Sequence, residues 1–379
     1  MSSPMSSARL RLSARSACWV VAGGGTGGHV TPALALAERI AARGERVVVM
    51  GGRRGLETRL VSQAGFELVA LPARPVVGRG AVGSLLALPV NAAACASAWA
   101  ALGRLRARIV VSVGGYASVP AVVAAVARGI PIALVEPNAV PGRANRAAAR
   151  LARVSFAGFE ETARCLAASA RGRVVVSGIP LRRALVAAFD GAGERRVPAP
   201  PYRLLVFGGS QGARQINDAM LEIAPGLDPR EIEIFHQTGE SDQDRVAAAY
   251  ARAGLVAQVV AFEPEMPRRY RWADLAVCRS GALTVAELAL AGLPALLVPF
   301  PHAADDHQRA NARALAQAGA ARVLESRPLD PAELARALRE AFEKPAELGA
   351  MGRATARIAR PDAAERIVEE CAALLAGGG

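Results

Sequence analysis

His29 closes a run of glycines, Ala22-Gly23-Gly24-Gly25-Thr26-Gly27-Gly28-His29, where a short apolar run (Trp19, Val20, Val21) gives way to a helical pattern beginning near Val30. Glycines at 23, 24, 25, 27 and 28 admit positive φ and let a backbone approach a ligand with no Cβ between them. The helix that follows turns unpaired N–H groups toward the loop. Such a place receives a charged or polyhydroxyl ligand, and His29 is positioned to address whatever the loop holds.

A second glycine loop, Gly208-Gly209-Ser210-Gln211-Gly212-Ala213-Arg214, also follows an apolar run and opens a helical pattern. A phosphate-cradling helix N-terminus accounts for both loops, with Ser210 and backbone amides as donors. The second loop also spells G-x-S-x-G, a nucleophile elbow, and Asp274 with His302 or His307 would complete a hydrolase triad in the right order. An elbow leaves the near-twin loop at 23–29 unexplained.

The densest polar cluster is Arg279-Ser280-Gly281-Ala282-Leu283-Thr284-Val285-Ala286-Glu287. Near a helix start, Ser280 and Thr284 are expected to expose hydroxyls and amides, and Glu287 a carboxylate able to hold two vicinal hydroxyls. A capped helix with a stabilising glutamate is the plainer alternative. Asn138 and Asn145, in and after the loop Glu136-Pro137-Asn138-Ala139-Val140-Pro141-Gly142, are ligand candidates or turn residues. Asp242-Gln243-Asp244 imitates a metal-binding DxD but fits a solvated helix start. Asp305, Asp306 and His307 lack an opposing ligand set, so no metal is expected.

Gly23, Gly25 and Gly28 satisfy the dinucleotide fingerprint G-x-G-x-x-G. That reading needs an acidic residue after the second strand, and the chain offers Gly51-Gly52-Arg53-Arg54, which argues against NAD and leaves NADP open.

These residues need strands and helices to hold them. Buried-strand patterns at 46–50, 109–113, 131–135, 202–207, 232–235, 256–262, 275–278 and 295–298 alternate with helical ones such as Pro32–Arg43 and Pro120–Ala127. After a helix at 310–318 the rest of the chain reads as helical, ending in an amphipathic helix at 362–375. A length of 379 residues with 52% apolar and 4% aromatic content indicates an α/β protein of two domains built alike. Five scattered cysteines give neither a disulfide framework nor a zinc spacing, which suits a reducing cytoplasm.

The net charge of +13 is uneven, with residues 1–180 at +15 and the rest at −2. A basic half favours an anionic partner, whether nucleic acid, a diphosphate or an acidic membrane surface, unless it reflects an arginine-biased composition. Residues 1–17, rich in Ser and Arg, read as a disordered extension. Between Arg79 and Arg104 no residue is charged, yet Pro89, Asn91 and the many alanines make a poor membrane span. An interfacial segment on anionic lipid, or an ordinary helix on the sheet, fits better.

The stretches GGGTGGHVTPALALA, VGGYASVPA, the Glu136/Asn138 loop, GGSQGARQIN, HQTG, CRSGALTVAELALAGLPALLVPFPHAADDHQRANA and PDAAERI, in this order and spacing over about residues 18–376, resemble the MurG family. These are the bacterial undecaprenyl-diphospho-muramoylpentapeptide β-N-acetylglucosaminyltransferases. The resemblance implies two facing Rossmann-like domains with a cleft between them: 18–184 for the acceptor and membrane, joined by a final helix at 362–376, a linker at 185–201, and 202–361 for the UDP-sugar. It implies an inverting transfer of N-acetylglucosamine from UDP-N-acetylglucosamine to lipid I, without cofactor, metal or nucleic acid, by a peripheral enzyme on the cytoplasmic face of the inner membrane.

By the same resemblance Thr26, Gly27 and Gly28 approach sugar and diphosphate, and His29 is the base for the acceptor hydroxyl. Asn138 contacts the transferred sugar and Arg182 the diphosphate or uridine. Ser210 stabilises the leaving UDP, and the backbone near Glu263 recognises uracil. Ala282, Leu283 and Thr284 bind phosphate, Glu287 the ribose hydroxyls and Gln308 the sugar hydroxyls. The chain departs from the family at Ile179, often Asn, and at His307, sometimes Gln. Rival readings are a related transferase with a diacylglycerol acceptor and a non-catalytic nucleotide- or nucleic-acid-binding protein.

Overall fold

Thirteen strands, short and mostly buried, form two sheets in the computed structural model, which describes residues 18–53, 55–75, 80–191, 195–209, 212–301 and 303–377. The expected extension at 1–17, Ser210 and His302 lie outside the described residues. The first sheet comprises β1 (Cys18–Gly23), β2 (Val47–Gly52), β3 (Leu68–Leu71), β4 (Ala107–Gly114), β5 (Ile132–Glu136), β6 (Val154–Ala157) and β7 (Arg173–Val176), in the order β3-β2-β1-β4-β5-β6-β7. The second comprises β8 (Tyr202–Phe207), β9 (Ile232–Gln237), β10 (Val256–Val260), β11 (Leu275–Cys278), β12 (Ala295–Leu297) and β13 (Ala321–Val323), in the order β10-β9-β8-β11-β12-β13. Neighbours pair in parallel, as in Trp19↔Val47 and Leu204↔Ile234. Packing divides the chain into two compact units, residues 1–133 with 370–379, and residues 134–369.

Parallel strands covered on both faces read as continuous apolar runs, because alternate side chains enter different layers. On β8, Leu204 and Val206 pack with Ile216, Met220 and Tyr250, while Leu205 and Phe207 pack with Tyr270, Leu288 and Leu315. In the first sheet Val30, Leu34, Val49 and Val61 form a similar layer.

In each sheet the strand order reverses beside one strand, β1 in the first and β8 in the second. Ligands of open α/β sheets bind at the carboxyl ends of strands at such a point, and both glycine loops follow these two strands.

Several expectations need correcting. The helix after the first loop is Gly27–Ala42, starting three residues before Val30, so His29 lies in its first turn. Its end agrees with Gly44, which takes φ +76°. The chain after residue 318 is not helical throughout: β13 (Ala321–Val323) forms an edge strand there before the last helices, and Leu56–Gln63 and β3 add elements between residues 51 and 75. The uncharged stretch forms one long helix, Gly80–Leu105. The final helix runs Ala363–Ala376, and Arg366 in its first turn donates to the Val176 carbonyl at the end of β7 (3.1 Å).

Candidate active site

The first glycine loop is held by a carboxylate. Glu57, fully buried on the helix Leu56–Gln63, accepts the Gly25 N–H at 3.2–3.3 Å and the Gly52 N–H at 2.9 Å. It leaves no room for a side chain on the loop, since a Cβ on Gly24 would sit 2.7 Å from Glu57 Oε1. Gly25 carries φ +94° and Gly115, after β4, packs against the Gly24 carbonyl at φ +79°, so glycine is required at both. Thr26 is the extended residue before the helix, with no side-chain cap bond, and its Oγ1 lies 3.0 Å from His29 Nδ1. Thr26 and Gly28 are exposed, Gly27 and His29 partly so. Glu57 is the acid nearest to where a ribose-binding one was sought, and its oxygens are spent on backbone amides. Glu57→Ala should cost about 2 kcal/mol or more, from orphaned amides, read as a lower urea midpoint at unchanged m.

The loop after β5 is organised by Glu136. Its buried carboxylate accepts the Asn138 N–H (2.9 Å), Asn138 Nδ2 (3.1 Å), the Gly142 N–H (3.1 Å) and Asn145 Nδ2 (2.8 Å). Burial holds this carboxyl above its ordinary value, against four hydrogen bonds that lower it. Asn145 is therefore a buried brace and not a ligand group. Asn138 is partly exposed, and its Oδ1 accepts Asn311 Nδ2 at 3.3 Å.

Asn311, wholly buried on the helix His307–Gln317, also donates to the Ser280 carbonyl (3.1 Å) and accepts the Ala139 N–H (2.8 Å). Ser280, expected to expose its hydroxyl, is buried and donates it to the Gln308 carbonyl at 2.8 Å. Gln308 Oε1 accepts the Phe300 N–H at 3.0 Å. Asn138, Ser280 and Gln308 thus belong to one hydrogen-bonded assembly.

The helix Ala282–Ala291 begins after Gly281, an extended residue without a side-chain cap. The N–H groups of Ala282, Leu283 and Thr284 are the first-turn donors a phosphate would meet. Further along, Glu287 is partly buried and accepts the Tyr270 hydroxyl at 2.6 Å. Burial pushes its carboxyl up to about 7, although the Tyr270 bond works the other way.

Tyr270 sits on the helix Met266–Trp272, whose Arg269 makes a 2.7 Å ion pair with Glu263. Glu263 also accepts the Glu265 N–H at 2.8 Å. Burial opposes ionisation there, but Arg269 and that amide hold the carboxyl below its usual range. One short helix therefore braces both the Glu263 loop and Glu287. Gln237 at the end of β9 donates to the Gly209 carbonyl (2.8 Å) and the Ala261 carbonyl (3.3 Å), joining that loop to the second glycine loop. Arg182, partly exposed, is the residue before the short helix Arg183–Ala187.

Two rival readings lose their residues. Asp242 of the DxD run is buried, not solvated, and accepts Asn217 Nδ2 (2.8 Å) and Arg245 (2.8 Å). Asp274, needed for a hydrolase triad, accepts Arg196 (2.6 Å) and the Arg203 N–H (2.9 Å). Among the described residues no cluster of three His, Cys, Asp or Glu is placed to hold a metal ion.

Comparison with known proteins agrees with this two-part arrangement. The profile of the Glycosyltransferase family 28 N-terminal domain matches residues 19–157, and that of the family 28 C-terminal domain matches residues 203–367. A UDP-N-acetylglucosamine--N-acetylmuramyl-(pentapeptide) pyrophosphoryl-undecaprenol N-acetylglucosamine transferase of Anaeromyxobacter dehalogenans (strain 2CP-C) is 43% identical over 360 residues, 94% of this chain and 92% of that one. The protein of the same name from Geobacter sulfurreducens is 40% identical over 93% of this chain and 98% of its own. The crystal structure of Acinetobacter baumannii MurG superposes with a TM-score of 0.75 at 31% identity, covering 93% of this chain and 98% of that one. A UDP-GlcNAc 2-epimerase from Neisseria meningitidis, at 14% identity and a TM-score of 0.65, shares the fold. Two matched domains and identity along nearly the whole chain place it: it belongs to glycosyltransferase family 28, among the MurG N-acetylglucosaminyltransferases.

Proposed function

We propose that this enzyme transfers N-acetylglucosamine from UDP-N-acetylglucosamine to the muramoyl sugar of undecaprenyl-diphospho-muramoylpentapeptide, lipid I, giving lipid II and UDP for peptidoglycan synthesis. The observation that carries this is 43% identity over 94% of the chain to a transferase named for that donor and acceptor. By this reading the enzyme serves cell-wall growth, and through it cell shape and division.

In the reaction the acceptor hydroxyl oxygen attacks the anomeric carbon on the face opposite UDP. The bond from that carbon to the diphosphate breaks, configuration inverts, and the hydroxyl proton passes to His29. For His29 Nε2 to take it, Nδ1 must carry the ring hydrogen and donate it to Thr26 Oγ1, which lies at 3.0 Å. Thr26, Gly27 and Gly28 approach the sugar and diphosphate. The departing charge meets the helix start at Ala282, Leu283 and Thr284, with Ser210 and Arg182; partly buried helix-end effects reach about 2 kcal/mol. Glu287 holds the ribose hydroxyls, the backbone near Glu263 the uracil, and Asn138 and Gln308 the sugar. We assign residues 18–184 with 362–376 to the acceptor and 202–361 to the nucleotide, with 185–201 as the linker.

Label from UDP-N-acetylglucosamine should appear on a short-chain lipid I analogue and not on a diacylglycerol run in parallel. Label on the diacylglycerol alone would replace the acceptor assignment, and label on neither would refute transfer.

A peripheral position on the cytoplasmic face of the inner membrane follows from the acceptor. Among the described residues no helix is long and apolar enough to cross a membrane. The helix Gly80–Leu105 exposes Leu88 (57%) and Trp99 (48%), and Val119–Ala127 exposes Val123 and Val126. Arg128 lies over the Trp99 ring, 3.8 Å from its centroid, and Arg104 is exposed on the same helix as Trp99. Apolar side chains among arginines suit anionic lipid better than nucleic acid. Replacing Leu88 and Trp99 together by Ser should lower sedimentation with phosphatidylglycerol vesicles about tenfold or more. Transfer to a soluble acceptor analogue should be unaffected.

A further inference from the structure

The nucleotide-binding sheet has two ends. The candidate active site occupies the carboxyl ends of its strands, while Asp274 immediately precedes β11, at the opposite end. A cavity of about 430 Å³ opens there, walled by Arg195, Arg196, Asp274, Pro294, Arg353 and Arg357 among others. Its size falls in the range of small-molecule sites, about 300–1,000 Å³.

The charge on its walls is not balanced. Among the described residues that line it, four arginines face one carboxylate. Asp274 is already committed to Arg196 and to the Arg203 amide. Arg195 spends its guanidinium on the carbonyls of Tyr270, Ala273 and Ala291. Burial lowers its affinity for the proton, as expected of a cation drawn from water. These carbonyls close the C-terminal ends of Met266–Trp272 and Ala282–Ala291, so Arg195 satisfies backbone while its charge remains beside the cavity. Arg353 and Arg357, exposed on the helix Pro345–Arg357, have neither an ion pair nor a hydrogen bond to another described residue. The walls meet closely at glycine, since a Cβ on Gly352 would lie 3.1 Å from the Gly292 carbonyl.

We propose that this cavity binds a small oligoanion, one presenting two or more phosphate or carboxylate groups to Arg196, Arg353 and Arg357 while its remainder lies on the apolar wall at Leu290 and Pro294. Paired anionic oxygens match guanidinium forks in geometry as well as charge. The same helix, Ala282–Ala291, that starts at the proposed donor phosphates ends at this cavity, about 15 Å away along its axis for ten residues. The site is nevertheless independent of the assigned reaction.

The test is calorimetric titration of the full chain with inorganic pyrophosphate, the donor site first saturated with UDP. One saturable event is expected, weakening as salt rises. R353A/R357A, two exposed positions, should weaken it at least about tenfold, with transfer activity and Tm unchanged. Absence of pyrophosphate binding under UDP saturation, or binding unchanged in the double variant, overturns the site. Displacement by vesicles of diphosphatidylglycerol, whose headgroup carries two phosphates, would identify a lipid headgroup as the source of the anion, and no displacement a soluble diphosphate; both keep the site.

Discussion

His29→Ala is expected to lower turnover at least about 10²-fold while leaving UDP-N-acetylglucosamine affinity within a few-fold, because a general base acts on the acceptor proton in the transition state and does not hold the donor. The local structure allows that separation. Gly27, Gly28 and His29 begin one helix, so backbone amides at the loop survive removal of the imidazole. Glu57 holds Gly25 from below, independently of His29. Thr26→Val provides the graded control. It removes the oxygen 3.0 Å from Nδ1, the acceptor that the Nδ1–H tautomer needed for proton uptake at Nε2 would use, so turnover should fall by a smaller factor, about tenfold, at similar donor affinity. Steady-state kinetics with a lipid I analogue, with donor binding measured separately, decides both. Unchanged turnover in His29→Ala would remove this residue from the mechanism.

The parts of the fold that were legible are those whose local sequence and tertiary role agree. Tyr202–Phe207 and Leu275–Cys278 are legible at their observed bounds because each runs out in four consecutive apolar residues, Leu204–Phe207 and Leu275–Cys278, stopped by glycine or arginine. β13, only Ala321–Val323, carries an arginine at its centre and is made a strand by pairing with β12, which no local pattern announces. Gly27 and Gly28 hid the start of their helix, because glycine is a poor helix former; uncapped N–H groups at the ligand face explain its use there.

The site was legible where backbone conformation demanded a residue type and illegible where a distant partner defined the role. Both glycine loops announce themselves. Glu57 and Glu136 do not, since their partners are amides that only the folded loops bring around them. A carboxylate ending the apolar strand Ile132–Glu136 was the available signal for the second. Ser280 misled for the complementary reason: its neighbourhood resembles a helix cap, yet its hydroxyl answers the Gln308 carbonyl, 28 positions away.

Glu287→Ala should raise the dissociation constant for UDP-N-acetylglucosamine at least about tenfold, the cost of removing a charged acceptor from two hydroxyls, with turnover at saturating donor nearly unchanged. The carboxylate must be ionised to serve both hydroxyls well, and burial places its titration at about 7. Donor affinity should therefore fall as pH drops through that value. Tyr270 and Cys278 are the titratable groups coupled to it, and burial drives both of these upward, so neither titrates in that window. The Tyr270 hydrogen bond favours the ionised form; Tyr270→Phe should move the fall in affinity to higher pH and leave affinity above that transition closer to wild type. Stability runs the other way. A carboxyl raised above its unfolded value of about 4.3 contributes stability that is present below that value and lost as pH rises through about 7. Glu287→Gln should consequently melt higher than wild type at pH 8, by more than it does at pH 5, while binding the donor less tightly. Loss of turnover at saturating donor with unchanged affinity would contradict the ribose role. Affinity that falls in Glu287→Ala but shows no displaced pH dependence in Tyr270→Phe would keep Glu287 as the ribose ligand and remove Tyr270 as the residue that keeps it charged.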